Sequence, residues 1–272
     1  MNVPRDQSDN SNEPGAISGV GGDAGLGAKL TRVRRTYGMC GARVTSKLLL
    51  HRLLPSERFL HDRVQDVRAF DAEHGVETSA IVLPAALGIT GASAEHAVEY
   101  SPTAVKSFYF MMRRIGIDPS RYVFVDIGCG KGLVMLLASD FRFQKVVGVE
   151  ASAQLCEVAR SNMAVYESPS QQCMNLELYE GDATAFPMPE NNTVYYLCNP
   201  FGPVVLDTFL DRLEESLSAC PRDVLLVYDY PEPAYPVLDR HPILRQVENY
   251  ETISPDYTWC YYENATFRGT AE

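Results

Sequence analysis

No apolar run in this 272-residue chain is long enough to span a bilayer, and the first residues lack the apolar core of a secretion signal. A cytoplasmic setting is therefore expected. Cysteine supplies no framework either. Its seven copies (40, 129, 156, 173, 198, 220 and 260) are odd in number and contain no C-x-x-C pair, which points to reduced thiols rather than disulfides. The five histidines stand far apart without ligand spacing, so no metal site is expected. Basic charge is in deficit. Lys and Arg number 24 against 35 Asp and Glu, and the formal charge of −11 argues against broad electrostatic binding of nucleic acid. No internal repeat is visible.

What is present suits one substantial α/β domain with an N-terminal extension. Hydrophobic residues make up 46% of the chain, an ordinary share for a globular protein. Residues 1–28 are rich in Ser, Asn, Asp and Gly and hold too little apolar surface to offset their ordering entropy, so a disordered tail is expected. Residues 29–99 read as a helical extension or cap. Its first part, Lys29–Leu54, carries seven cations with no acid between them, beside Leu48, Leu49, Leu50, Leu53 and Leu54. That pattern suits a membrane surface, an acidic partner or an anionic substrate, but a solvated helix packing its leucines on the domain is the favoured reading. Ser56–Phe70 reads as a further helix, and 71–100 as short helices and loops punctuated by Gly75, Pro84, Gly88 and Gly91.

The centre of the pattern is Tyr122–Leu133. Tyr122–Val125 is a buried strand candidate, followed by Asp126 and by Gly128, Gly130 and Gly132 at alternate positions, then by an apolar helix start. Glycines between strand and helix allow a sharp turn and close approach of a ligand to the backbone. The spacing G-x-G-x-G with an acid ahead of it differs from the dinucleotide fingerprint G-x-G-x-x-G. Three later strands also run into polar or glycine chemistry. Val146–Val149 ends in Glu150, Leu176–Tyr179 leads to Gly181-Asp182-Ala183, and Thr193–Cys198 leads to Asn199-Pro200-Phe201-Gly202.

In this order the four segments resemble the class I S-adenosylmethionine-dependent methyltransferases, from about Tyr100 to the C-terminus. The resemblance implies an α/β, Rossmann-like doubly wound sheet, mostly parallel with an antiparallel edge hairpin formed by Leu244–Tyr250 and Tyr257–Tyr262. It implies S-adenosyl-L-methionine as cofactor and a methyl acceptor that is a small molecule or a protein amine or oxygen. Asp126 and the glycine-loop amides would meet the amino-acid end of the cofactor, and Glu150 the ribose diol. Asp182 would meet the adenine amine, with Ala183 and Phe186 beside the ring. Tyr100 and Thr103 lie at the entry to a helix expected to start at Ser101-Pro102, where similar segments touch the methionine end. A tyrosine and threonine in that place, and an asparagine followed by an aromatic after the fourth strand, also resemble the non-SET histone lysine methyltransferases.

Asn199 is the candidate catalytic residue by the same resemblance: it sits where many methyltransferases that act on nitrogen carry Asn/Asp-Pro-Pro-aromatic, although here the second proline is missing and the aromatic comes one position early. The plain alternative is a rigid turn. Asp229, Tyr230, Glu232 and His241 follow the fifth strand and are candidates for a substrate base. Lys131 reads as a solvent-facing loop residue, because the phosphate-loop pattern G-x-x-x-x-G-K-[ST] is absent. Two other functions stay open at this point, a nicotinamide-dependent oxidoreductase and a non-catalytic cofactor-binding protein of the same fold.

Overall fold

The computed structural model describes residues 57–88, 98–231, 234–251 and 258–264. The chain divides into two units, Met1–Thr45 and Ser46–Glu272, and every described residue belongs to the second. The tail at 1–28 and the basic segment 29–54 therefore lie outside the described residues.

Seven strands form one sheet: β1 Val123–Ile127, β2 Lys145–Glu150, β3 Leu176–Glu180, β4 Thr193–Cys198, β5 Val224–Asp229, β6 Leu244–Glu251 and β7 Thr258–Asn264. Their order is β3-β2-β1-β4-β5-β7-β6. The first five run parallel, and β7 pairs antiparallel with both β5 and β6, as the expected edge hairpin. β1, β4 and β5 read as continuous apolar runs because both faces are covered. Successive side chains alternate between two cores. Phe124, Tyr196 and Val227 enter one core with Phe108 and Leu136, while Val125, Tyr195 and Tyr228 enter the other with Leu206 and Phe209. β3 is an edge strand and is accordingly only partly buried.

The helices are α1 Glu57–His74, α2 Val105–Arg114, α3 Leu133–Ala138, α4 Ala153–Val165, α5 Pro203–Ala219 and the short α6 Tyr235–Leu238. Local signals suffice for α4, whose N-cap Ser152 accepts from the Leu155 amide at 3.4 Å. They fail for α2, which starts at Val105 rather than at Ser101-Pro102. Tyr100 is drawn instead into an antiparallel bridge with Val82, and Thr103 Oγ1 lies 2.9 Å from the Tyr196 hydroxyl. The cap of α2 comes from another helix, since Asp66 Oδ2 on α1 accepts from the Lys106 amide at 3.1 Å. Tertiary bonds here outweigh a good local start signal.

The chain leaves β1 for β2 on one side and later returns to β4 on the other. That reversal opens a crevice at the carboxyl ends of β1 and β4, where open α/β sheets bind ligands.

Candidate functional site

One cleft lies at this carboxyl edge. Of the residues singled out by sequence, Tyr100, Thr103, Asp126, Gly128, Glu150, Asp182, Ala183 and Asn199 line it. Gly130 and Gly132 do not. The turn after β1 explains the difference. Gly128, Gly130 and Gly132 have φ of +75°, +55° and +84°, in the left-handed region that side chains avoid. A Cβ on Gly128 would stand 2.4 Å from Pro200 Cβ, and one on Gly130 would stand 2.2 Å from the Tyr100 ring. Gly130 is thus covered by Tyr100, and the missing side chains make room for protein as well as for a turn. Gly132 supplies the left-handed N-cap of α3.

Glu150 closes β2 and braces this turn. Its Oε2 accepts from the Gly130 amide at 2.9 Å and its Oε1 from the Ser152 amide at 2.8 Å. Burial raises its carboxyl above the usual range, against the pull of these amides. Asp126 is buried more completely, and its Oδ2 has no hydrogen-bond partner among the described residues. Burial first, and the neighbouring Glu150 second, push its carboxyl well above the usual range. Asp182 Oδ1 accepts from the Thr184 amide at 2.7 Å and from its hydroxyl at 2.6 Å, so it shapes the turn after β3. Ala183 lines the cleft beside it, but Phe186 does not. Phe186 packs edge-on against Tyr179 with centroids 5.3 Å apart, because its apolar ring is better buried in the core than left at the cleft.

At the β4 end, Asn199 has φ +45°, one of two positive values among the described non-glycine residues. Asparagine tolerates this conformation better than most side chains do, so the turn role is real whatever else the residue does. Tyr196, hidden in sequence within an apolar strand, also lines the cleft. Its hydroxyl donates to Asp229 Oδ2 at 3.1 Å and meets Thr103 on its other side. Asp229 lies behind Tyr196 and does not line the cleft. His241 does not line it either; its Nε2 lies 3.4 Å from Asp211 Oδ1 on α5. Asp211, Glu214 and His241 bring ligand-type atoms within 4.8 Å of one another, a convergence that sequence spacing could not reveal. Tyr230 has φ +56°, and Glu232 lies outside the described residues.

Lys131 corrects the sequence reading outright. Its side chain is only 5% exposed and pairs with Glu77. The segment after α1 folds over the loop and takes the lysine out of solvent, which no local pattern announced.

Residues 124–218 match the family model described as Methyltransferase domain. Among solved structures, the chain is similar to a ribosomal protein L11 methylase from Lactobacillus delbrueckii subsp. bulgaricus, at 14% identity over 58% of this chain and 77% of that one, with a TM-score of 0.43. A SAM dependent methyltransferase from Aquifex aeolicus is similar at 14% identity, 58% and 89% coverage and a TM-score of 0.43. An RNA methyltransferase from Salinibacter ruber in complex with S-adenosyl-L-homocysteine is similar at 19% identity, 62% and 97% coverage and a TM-score of 0.40. No curated protein matches the sequence. Among the described residues no helix is long and apolar enough to cross a membrane.

Proposed function

We propose that this chain, whose residues 124–218 match a methyltransferase domain, is a class I S-adenosylmethionine-dependent methyltransferase that transfers a methyl group from S-adenosyl-L-methionine to an acceptor received at the Asn199–Phe201 end of the cleft. The observation that carries the reading is Asp126. A buried carboxylate oxygen without a partner is costly, and a cationic ligand relieves that cost. The ammonium of the cofactor's amino-acid end has the required charge. Glu150 fits as well, since two amides use only about half of a carboxylate's roughly four acceptor positions and leave room for a ribose diol. Asp182 and Ala183 sit where the adenine would complete the line.

When bound, the cofactor supplies an electrophilic methyl group on a sulfonium. The chain's own work is then positioning and exclusion of water. Thr103, Tyr196 and Asp229 form a hydrogen-bonded chain beside the cleft, which holds Tyr196 in place. Asn199, Pro200 and Phe201 would orient the acceptor along the line of attack. A small molecule and a protein amine or oxygen both suit this opening. The acidic whole disfavours nucleic acid, a membrane role for residues 29–54 is not favoured, and a cytoplasmic setting suits the reduced thiols.

Calorimetric titration with S-adenosylhomocysteine, S-adenosylmethionine and NAD tests the cofactor. Binding of the first two and not of NAD is expected, and binding of NAD alone would restore the oxidoreductase reading. Labelled S-adenosylmethionine with fractionated lysate then shows which pool accepts the methyl group; bound cofactor with no labelled product in any pool would favour a non-catalytic protein.

A further inference from the structure

The glycine loop is fastened to a part of the chain far ahead of it in sequence. Asn162, buried on α4, bonds to both through its side-chain amide. Its Oδ1 accepts from the Glu77 amide at 2.8 Å, and its Nδ2 donates to the Glu77 carbonyl at 3.0 Å and to the Lys131 carbonyl at 2.8 Å. Lys131 adds the ion pair to the Glu77 carboxylate, and its ammonium stands 5.6 Å from the centroid of the Tyr100 ring. Tyr100 completes the circuit. Its ring fills the space over Gly130, and its hydroxyl donates to the Thr78 carbonyl at 2.8 Å. Asp71, in α1, holds the same strip by accepting from the Thr78 and Ser79 amides at 3.0 and 2.8 Å.

Tyr100 lines the cleft and Lys131 does not. The lysine is therefore remote from any ligand there, but it is bonded to both things that hold Tyr100: the strip at 77–79 and the loop beneath the ring.

We propose that Lys131 and Asn162 are positioning residues of the cofactor cleft, locking the 77–79 strip and Tyr100 onto the glycine loop so that cofactor affinity depends on a contact made outside the cleft. The inference rests on the methyltransferase reading for the identity of the ligand. The lock itself does not.

The test uses the full chain and the variants Lys131→Met, Lys131→Arg, Glu77→Gln and the Lys131→Met/Glu77→Gln double. Met keeps most of the lysine stem and removes the charge; Glu77 is half exposed, so its variant folds even if Lys131→Met does not. Two quantities are read. One is amide hydrogen exchange at 78–82 and 98–103 without ligand; the other is the Kd for S-adenosylhomocysteine. In Lys131→Met these amides should exchange about tenfold faster while β1, β4 and β5 stay protected. The Kd should weaken by about tenfold. Glu77→Gln should act in the same direction, the double variant should be no worse than the stronger single, and Lys131→Arg should restore most of both. Unchanged exchange would overturn the lock. Faster exchange with an unchanged Kd would leave Lys131 purely structural and overturn the coupling. A parent protein that does not bind S-adenosylhomocysteine would remove the cofactor reading and the coupling with it, while the exchange arm still decides whether the lock exists.

Discussion

Two turns face each other across the cleft, and they are held very differently. After β1, every residue from Cys129 to Ser139 is buried, and four backbone amides of the turn bond inside the protein. Gly128 and Cys129 donate to the Val149 carbonyl, Gly130 to Glu150, and Gly132 to the Cys129 carbonyl. After β4, residues 199–202 are all half-buried, and Asn199 holds a backbone conformation few side chains choose. Pro200 of the second turn fills the space over Gly128 of the first. The difference teaches how such a site divides its labour. The first turn is shaped by contacts already made and suits a ligand that always binds in one way. The second leaves its surface half open, as the proposed acceptor end requires.

Gly130→Val is the harshest way to break this comparison. It forces a branched side chain into a left-handed position and into the Tyr100 ring. Strain and overpacking together should lower ligand-free stability by about 2–6 kcal/mol, a fall in Tm of roughly 10 °C. A loss under about 1 kcal/mol in denaturant unfolding would mean that the first turn is not committed as described.

Glu150→Ala comes next. It leaves the Gly130 and Ser152 amides buried without acceptors, at a cost of about 1–3 kcal/mol for each. Stability without ligand and S-adenosylhomocysteine affinity should fall together, the latter by at least about tenfold, because one side chain both braces the turn and faces the cleft. Glu150→Gln keeps an acceptor oxygen and should lose less of each. Retained stability with lost affinity would show that the brace is dispensable.

On the second turn, Asn199→Ala should cost only about 1–2 kcal/mol, the usual penalty for left-handed backbone, and Asn199→Gly close to nothing. That pair of variants separates the two roles of the residue. If the amide orients an acceptor, both should lower turnover by about tenfold or more with cofactor affinity intact. Turnover in Asn199→Gly equal to the parent's would reduce Asn199 to a turn residue.

One last stability change has the opposite sign. Asp126 holds its proton to a higher pH folded than unfolded, because burial and Glu150 disfavour its charge. The folded state then binds more protons between the ordinary carboxylate range and the raised value. Ligand-free stability therefore falls as pH rises through that window and is flat above it. Asp126→Asn should lessen the fall, leaving the part that the raised Glu150 carboxyl contributes, and make the ligand-free protein more stable at neutral pH while weakening its hold on a cationic ligand. Thermal denaturation of both proteins across pH, with and without S-adenosylmethionine, checks each half. A parent profile identical to that of Asp126→Asn would place the carboxylate outside the buried site.

By itself the sequence determined whatever depends on neighbouring residues. The buried strands at Val123–Ile127 and Thr193–Cys198, the left-handed glycines, the Ser152 cap and the apolar face of α5 come from propensity and periodicity over a few positions. The acids and the asparagine that line the cleft were legible for the same reason, since the strands of a parallel sheet deliver the residues at their carboxyl ends to one edge. Only the tertiary structure decided the rest. It buried Lys131 against Glu77, laid Tyr100 over Gly130, delayed α2 to Val105 under an Asp66 cap, turned Phe186 into the core and set Tyr196 in the cleft wall. Each of these depends on a partner from a distant part of the chain, and the free energy of such a contact exists only once the sheet has brought the two together.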